Sequence, residues 1–127
     1  PATNWGGFYN LLDRINTVIK LFPKAPLTDA QRNAALAEMH GLRAYIYYTL
    51  LRTWGGVPIT TEPVSAVDNL TDLYRERAKP EDVMKLIKSD IEQSLSLFGA
   101  TNTFTPKRVY WNRAATLTLK GDVFLWS

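Results

Sequence analysis

The sequence has no cysteine in its 127 residues. A disulfide framework, a thiol nucleophile and a thiolate metal site are excluded within it. It has one histidine, His40. A lone imidazole without a second histidine or a cluster of carboxylates makes neither a metal-ligand set nor a nucleophile–base pair. No catalytic residue, metal ligand or cofactor site is assigned, and an enzyme is not expected. Nowhere does the chain approach the ~18 consecutive apolar residues of a membrane-crossing helix. Gly6-Gly7 and Gly55-Gly56 lack the spacing and the strand-to-helix setting of a phosphate loop. Positive charge is not concentrated either. The net charge of +3 comes from 15 Lys and Arg against 12 Asp and Glu, dispersed along the chain with short groups only at 75–79 and 107–108. A nucleic-acid partner would need one basic face or arm, so none is expected. The opening Pro-Ala-Thr-Asn-Trp shows neither a basic segment before an apolar run nor a lipidation motif.

What the chain does have is apolar and aromatic material at helical spacing. Hydrophobic residues make up 46%, with four Trp, six Tyr and five Phe, enough for a packed core. Phe8, Leu11, Leu12, Ile15, Val18, Ile19 and Phe22 form one apolar stripe, predicting a helix over 7–22 that Pro23 and Pro26 end. Thr28-Asp29-Ala30-Gln31 has the form of a capping box, opening a second helix that runs to about Trp54. Its stripes are Leu36, Met39, Arg43, Ile46, Leu50 and Trp54, and beside them Leu42, Tyr45 and Thr49. A helix apolar on most of its circumference must lie among other helices. Gly41 inside it costs ~1 kcal/mol of helix propensity, a loss usually offset by close approach of a neighbour.

Gly55-Gly56 stops that helix. Residues 57–64 read as extended, confined by Pro58 and Pro63 to an edge or loop, and 65–79 read as polar and irregular. A third helix opens at Pro80, with Glu81 and Asp82 suited to its N-terminal dipole, and buries Val83, Ile87, Ile91, Leu95 and Phe98 before Gly99. The pair Asp90/Glu92 reads as solvent-face charge. Residues 100–110 read as a loop with a turn at Thr105-Pro106. A fourth helix starts at an Asn112 cap, and its small residues Ala114, Ala115 and Gly121 would let a neighbouring helix approach. The expected fold is all-α: TPR-like antiparallel hairpins over 7–54 and 80–127, joined by an irregular arm over 55–79, as one domain. Residues 123–127 lie inside an apolar-periodic helix without a stop signal, which reads as a piece of a longer protein. Marginal stability, or association through that apolar end, is expected of it alone.

Few side chains invite a functional reading. Arg43 falls on a buried stripe, so it should pair with a carboxylate or carbonyl or stack on a ring. His40 reads as a satisfied core or boundary residue. Asn4 and Trp5, ahead of the first helix, are the candidate ligand-binding residues: an indole face packs on pyranose C–H bonds while an amide bonds hydroxyls. The alternative for Trp5 is a hydrophobic staple at the helix start.

Four passages resemble one known family. Residues 38–59, with Glu38, Leu42-Arg43-Ala44, Tyr47 or Tyr48, Leu51 and Trp54-Gly55-Gly56-Val57-Pro58-Ile59, are similar to a characteristic string of the SusD/RagB outer-membrane nutrient-binding lipoproteins. The helix after Trp5-Gly6-Gly7-Phe8-Tyr9, the string from Arg77 through Pro80-Glu81-Asp82-Val83 to Asp90-Ile91, and the Ala114-Ala115 helix support it. The sequence departs from the pattern at Met39-His40-Gly41 and at Thr116 and Thr118. The resemblance implies an all-α protein several times longer than this chain. It implies a surface-exposed lipoprotein of the outer membrane, anchored outside these residues, that binds a glycan or other nutrient and works with a TonB-dependent transporter. It implies that these helices are scaffold. The residues alone leave open a TPR-like protein-interaction scaffold with no small-molecule ligand.

Overall fold

The computed structural model describes residues 6–62, 77–99 and 112–126. Four helices account for most of them: α1 (Gly6–Leu21), α2 (Asp29–Trp54), α3 (Pro80–Phe98) and α4 (Arg113–Trp126), with a short 3-10 turn at Phe22–Lys24. The described residues contain no strand, so the fold is all-α and TPR-like as expected.

The helix ends follow local chemistry. Thr28 Oγ1 accepts from the Gln31 N–H at 3.1 Å while Gln31 Oε1 accepts from the Thr28 N–H at 3.1 Å, a complete capping box. Asn112 Oδ1 accepts from the Ala115 N–H at 2.8 Å and caps α4. α2 ends at Gly55, whose φ of +75° suits glycine and whose N–H returns to the Leu51 carbonyl at 2.9 Å.

α2 is the hub. It packs most extensively on α3 and also on α1, while α4 lies chiefly on α3. Tyr47 and Leu50 of α2 meet Leu12 and Ile15 of α1, Val83, Ile87 and Ile91 of α3, and Leu119 and Val123 of α4 in one core. Each such aliphatic side chain contributes about 1.5–3 kcal/mol by leaving water.

Several faces differ from the sequence reading. Leu11 and Tyr45 are about half exposed, and Leu95 and Phe98 are only partly buried. The buried face of α1 is Leu12, Ile15 and Asn16, and α2 turns Tyr47, Tyr48 and Leu51 inward instead. On α4, Ala114 and Gly121 point outward, and the inward residues are Thr116, Leu119 and Val123. Period alone sets the angular spacing of a face, but the neighbours decide which face turns inward. Among the described residues, no helix is long and apolar enough to cross a membrane.

After Gly56 residues 57–61 form no regular secondary structure and residue 62 is a bend, and the chain passes beside this segment again just before α3. The Ala78 N–H donates to the Val57 carbonyl at 3.0 Å. The approach is so close that a Cβ on Gly56 would stand 2.2 Å from the Ala78 carbonyl oxygen. Pro63, Val64 and the Thr105-Pro106 turn lie outside the described residues.

Candidate functional site

The densest chemistry lies between α1, α2 and α3, on a buried aspartate. Asp90 is 1% exposed, so its reading as solvent-face charge is corrected. Val83, Ile87, Asp90 and Ser94 recur at i, i+4, i+7 and i+11, which places the carboxylate on the apolar stripe of α3. Glu92, the other half of the pair, is exposed, and Lys120 meets it at 2.8 Å.

Arg43 of α2 makes a two-pronged bond to this carboxylate. Its Nε donates to Asp90 Oδ2 at 2.7 Å and its Nη2 to Oδ1 at 2.8 Å. His40, one helical turn before Arg43, brings Nδ1 to 2.8 Å from Asp90 Oδ1. The third prong of the guanidinium, Nη1, donates to Asn16 Oδ1 of α1 at 3.0 Å. Asn16 Nδ2 in turn donates to the Thr60 carbonyl at 3.0 Å. Three helices and the 57–62 segment are thus joined by one chain of hydrogen bonds, of which those made by Arg43 and Asp90 are charge-assisted and stronger than their neutral counterparts.

Two tyrosines complete the grip on that segment. Tyr47 Oη accepts from the Thr60 N–H at 2.8 Å and lies 3.1 Å from the Thr60 carbonyl as donor. Tyr9 Oη donates to the Pro58 carbonyl. Burial, and after it the neighbouring Tyr47, raise the Tyr9 phenol above its ordinary pKa, which keeps it a neutral donor. One turn further along α3, Ser94 Oγ donates to the Ala37 carbonyl at 2.7 Å and lies 2.9 Å from Thr116 Oγ1, tying α4 to the same spine.

This arrangement clamps the three helices to one another. Both Asp90 oxygens serve Arg43, and His40 finds its partner in that carboxylate and in no hydroxyl of the described residues. Among the described residues no group of three or more His, Asp or Glu could hold a metal ion. Arg43 pairs with a carboxylate and His40 is a satisfied boundary residue, both as the sequence led us to expect. Asp90, Asn16, Tyr9 and Tyr47 were missed as polar partners. The register of Asp90 with Val83 and Ile87 was the available signal for the first. Asn4 and Trp5, the candidate ligand residues, lie outside the described residues.

The other chemically distinct area is the outer side of α4. Phe124 has Lys88 and Lys120 at 6.0 and 5.8 Å from its ring centre. Trp126 meets Tyr48 edge-on at 5.9 Å, and Arg52 lies 5.2 Å over the Tyr48 ring. Leu125 is 90% exposed.

The chain has clear relatives. A family profile described as SusD-like, starch-binding and associating with the outer membrane matches residues 1–119. A SusD-like protein of Formosa agariphila is 34% identical over 104 residues, 80% of this chain and 20% of that protein. Among solved structures, NanU of Bacteroides fragilis is similar at a TM-score of 0.86 and 38% identity, covering 98% of this chain and 24% of NanU. A SusD superfamily protein of Bacteroides vulgatus matches at 0.86 and 35% identity over 98% of this chain and 24% of its own. The chain therefore spans about a fifth of the length of that curated relative and about a quarter of these solved ones. With the profile matched over nearly all its residues, this chain belongs to the SusD-like family.

Proposed function

We propose that the full-length protein is a non-enzymatic glycan-binding component of an outer-membrane uptake system, held at the cell surface as a lipoprotein and acting with a TonB-dependent transporter. The observation that carries this reading is the match of residues 1–119 to a family described as starch-binding and outer-membrane-associated. The two hairpins, 7–54 and 80–127, serve as its support, and the arm over 55–79 joins them. The described part of the arm is gripped by Tyr9, Asn16 and Tyr47, a rigid base of the kind that ligand-bearing loops need. Asn4 and Trp5 are the residues within this chain that we assign to sugar contact.

The test uses the full reading frame. Solubilised outer membrane should yield a large β-barrel transporter with the tagged protein, and electrophoresis through gels containing starch or other glucans should retard it. Trp5→Ala should weaken the retardation. Free migration in every glycan tried, with no barrel partner, would defeat the proposal. Capture of a peptide segment instead would favour a protein-interaction scaffold.

A further inference from the structure

Asn16 stands between two groups of opposite hydrogen-bonding character. The Arg43 guanidinium on one side can only donate, and the Thr60 carbonyl on the other can only accept. One orientation of the amide serves both: Oδ1 toward Arg43 at 3.0 Å and Nδ2 toward Thr60 at 3.0 Å. Asn16 is 1% exposed, so bulk water does not stand in for a lost partner, and an unmet amide oxygen there is costly. Arg43 is itself aimed. With Nε and Nη2 both on Asp90, its planar fork leaves Nη1 for Asn16. The carboxylate of α3 thus reaches Thr60 through two intermediaries, Arg43 and Asn16. The Lys20–Glu62 pair at the end of the segment is exposed and adds little to the hold.

We infer that Arg43 is a positioning residue for the 57–62 segment: aimed by Asp90 of α3, it fixes the orientation of the Asn16 amide and so holds Thr60 in place. The seat of the segment is then conditional on the docking of α3, and not only on α1 and α2, whose side chains touch it. When Asp90 is withdrawn, Arg43 loses its aim and nothing keeps the Asn16 amide turned toward Thr60. Tyr47 then holds residue 60 through a single hydroxyl. This coupling is a property of the buried chain of bonds and stands apart from the glycan-binding proposal.

Residue-resolved amide exchange on the full-length protein tests it, read at the Thr60 N–H, which Tyr47 Oη accepts at 2.8 Å. Asp90→Leu combined with Arg43→Met removes the ion pair without stranding a charge, so the fold is kept. Thr60 should nonetheless exchange about tenfold faster, the change that one lost hydrogen bond to a charged group brings. Gly99, whose N–H returns to the Leu95 carbonyl at 3.1 Å at the end of α3, should keep the parent's rate. A parental rate at Thr60 in the folded double variant overturns the inference. Equal acceleration at Gly99 marks general loosening and overturns it too. Asn16→Leu leaves the ion pair intact and supplies the reading should the double variant fail to fold. It should reproduce the acceleration at Thr60 and, added to the double variant, increase it no further, since both act through one contact. A parental rate in Asn16→Leu, or effects that multiply, has the same overturning consequence.

Discussion

Asp90 and Arg43 show how one buried charge pair commits the residues around it. Removing one partner leaves the other ion buried and uncompensated, a loss of ~3–5 kcal/mol. Asp90→Ala is therefore expected to lower the denaturation midpoint sharply. Asp90→Leu combined with Arg43→Met should recover much of that loss, since two apolar side chains leave no stranded charge. Equal loss in the double and single variants would refute the account. Arg43 was legible because it interrupts an apolar stripe, and a cation there must find a partner. The identity of that partner was not, because Asp90 lies 47 positions away and only the packing of α2 on α3 brings them together. Tyr9 adds a dependence on alkali. Its phenol stays neutral in the folded chain while an unfolded one ionises near pH ~10. The contribution is complete below that pH and lost as pH rises above it, where the unfolded state gains by ionising. Urea midpoints measured between pH 8 and 11 should fall less steeply for Tyr9→Phe than for the parent.

Helix ends were easier to read than helix faces. Thr28 with Gln31, Asn112, Gly55 and Gly99 all stand where local chemistry placed them, because a cap is settled within four residues. Thr28→Ala should cost about 1 kcal/mol, visible as a small shift in thermal unfolding. Faces depend on partners far along the chain, which is why Leu11 and Tyr45 turned outward and Asn16 inward. The same holds for Ala114 and Gly121, which were expected to admit a neighbouring helix and instead turn outward, with no described helix against Gly121. Gly56 belongs to this scale as well. Gly56→Ala would force apart the chain at Ala78, so the Ala78 amide, protected by Val57, should exchange faster with solvent water. Unchanged exchange in a folded variant would rule out the close approach as a constraint.

At the scale of the whole molecule, α2 buries most of its circumference while α4 buries one side. The all-α, TPR-like architecture could be read from period and punctuation alone, since a helix as apolar as α2 has few other solutions. Produced by itself, the 127-residue chain should associate in a concentration-dependent way through Leu117, Phe124 and Leu125. Phe124→Glu with Leu125→Glu should shift it toward monomer in sedimentation, at no cost to helix content. A parent that stays monomeric at high concentration would contradict this.

The segment over 57–62 is held by its main chain. Tyr9 takes the carbonyl of residue 58, while Asn16 and Tyr47 take the N–H and carbonyl of residue 60, groups that nearly every amino acid offers alike. A tether of this kind ignores the side chains it holds. Thr60 can drift to valine or alanine with the path of the chain preserved, whereas Tyr47 and Asn16 cannot drift at all. Variation among descendants of this sequence should therefore gather on the held segment and spare the residues that hold it.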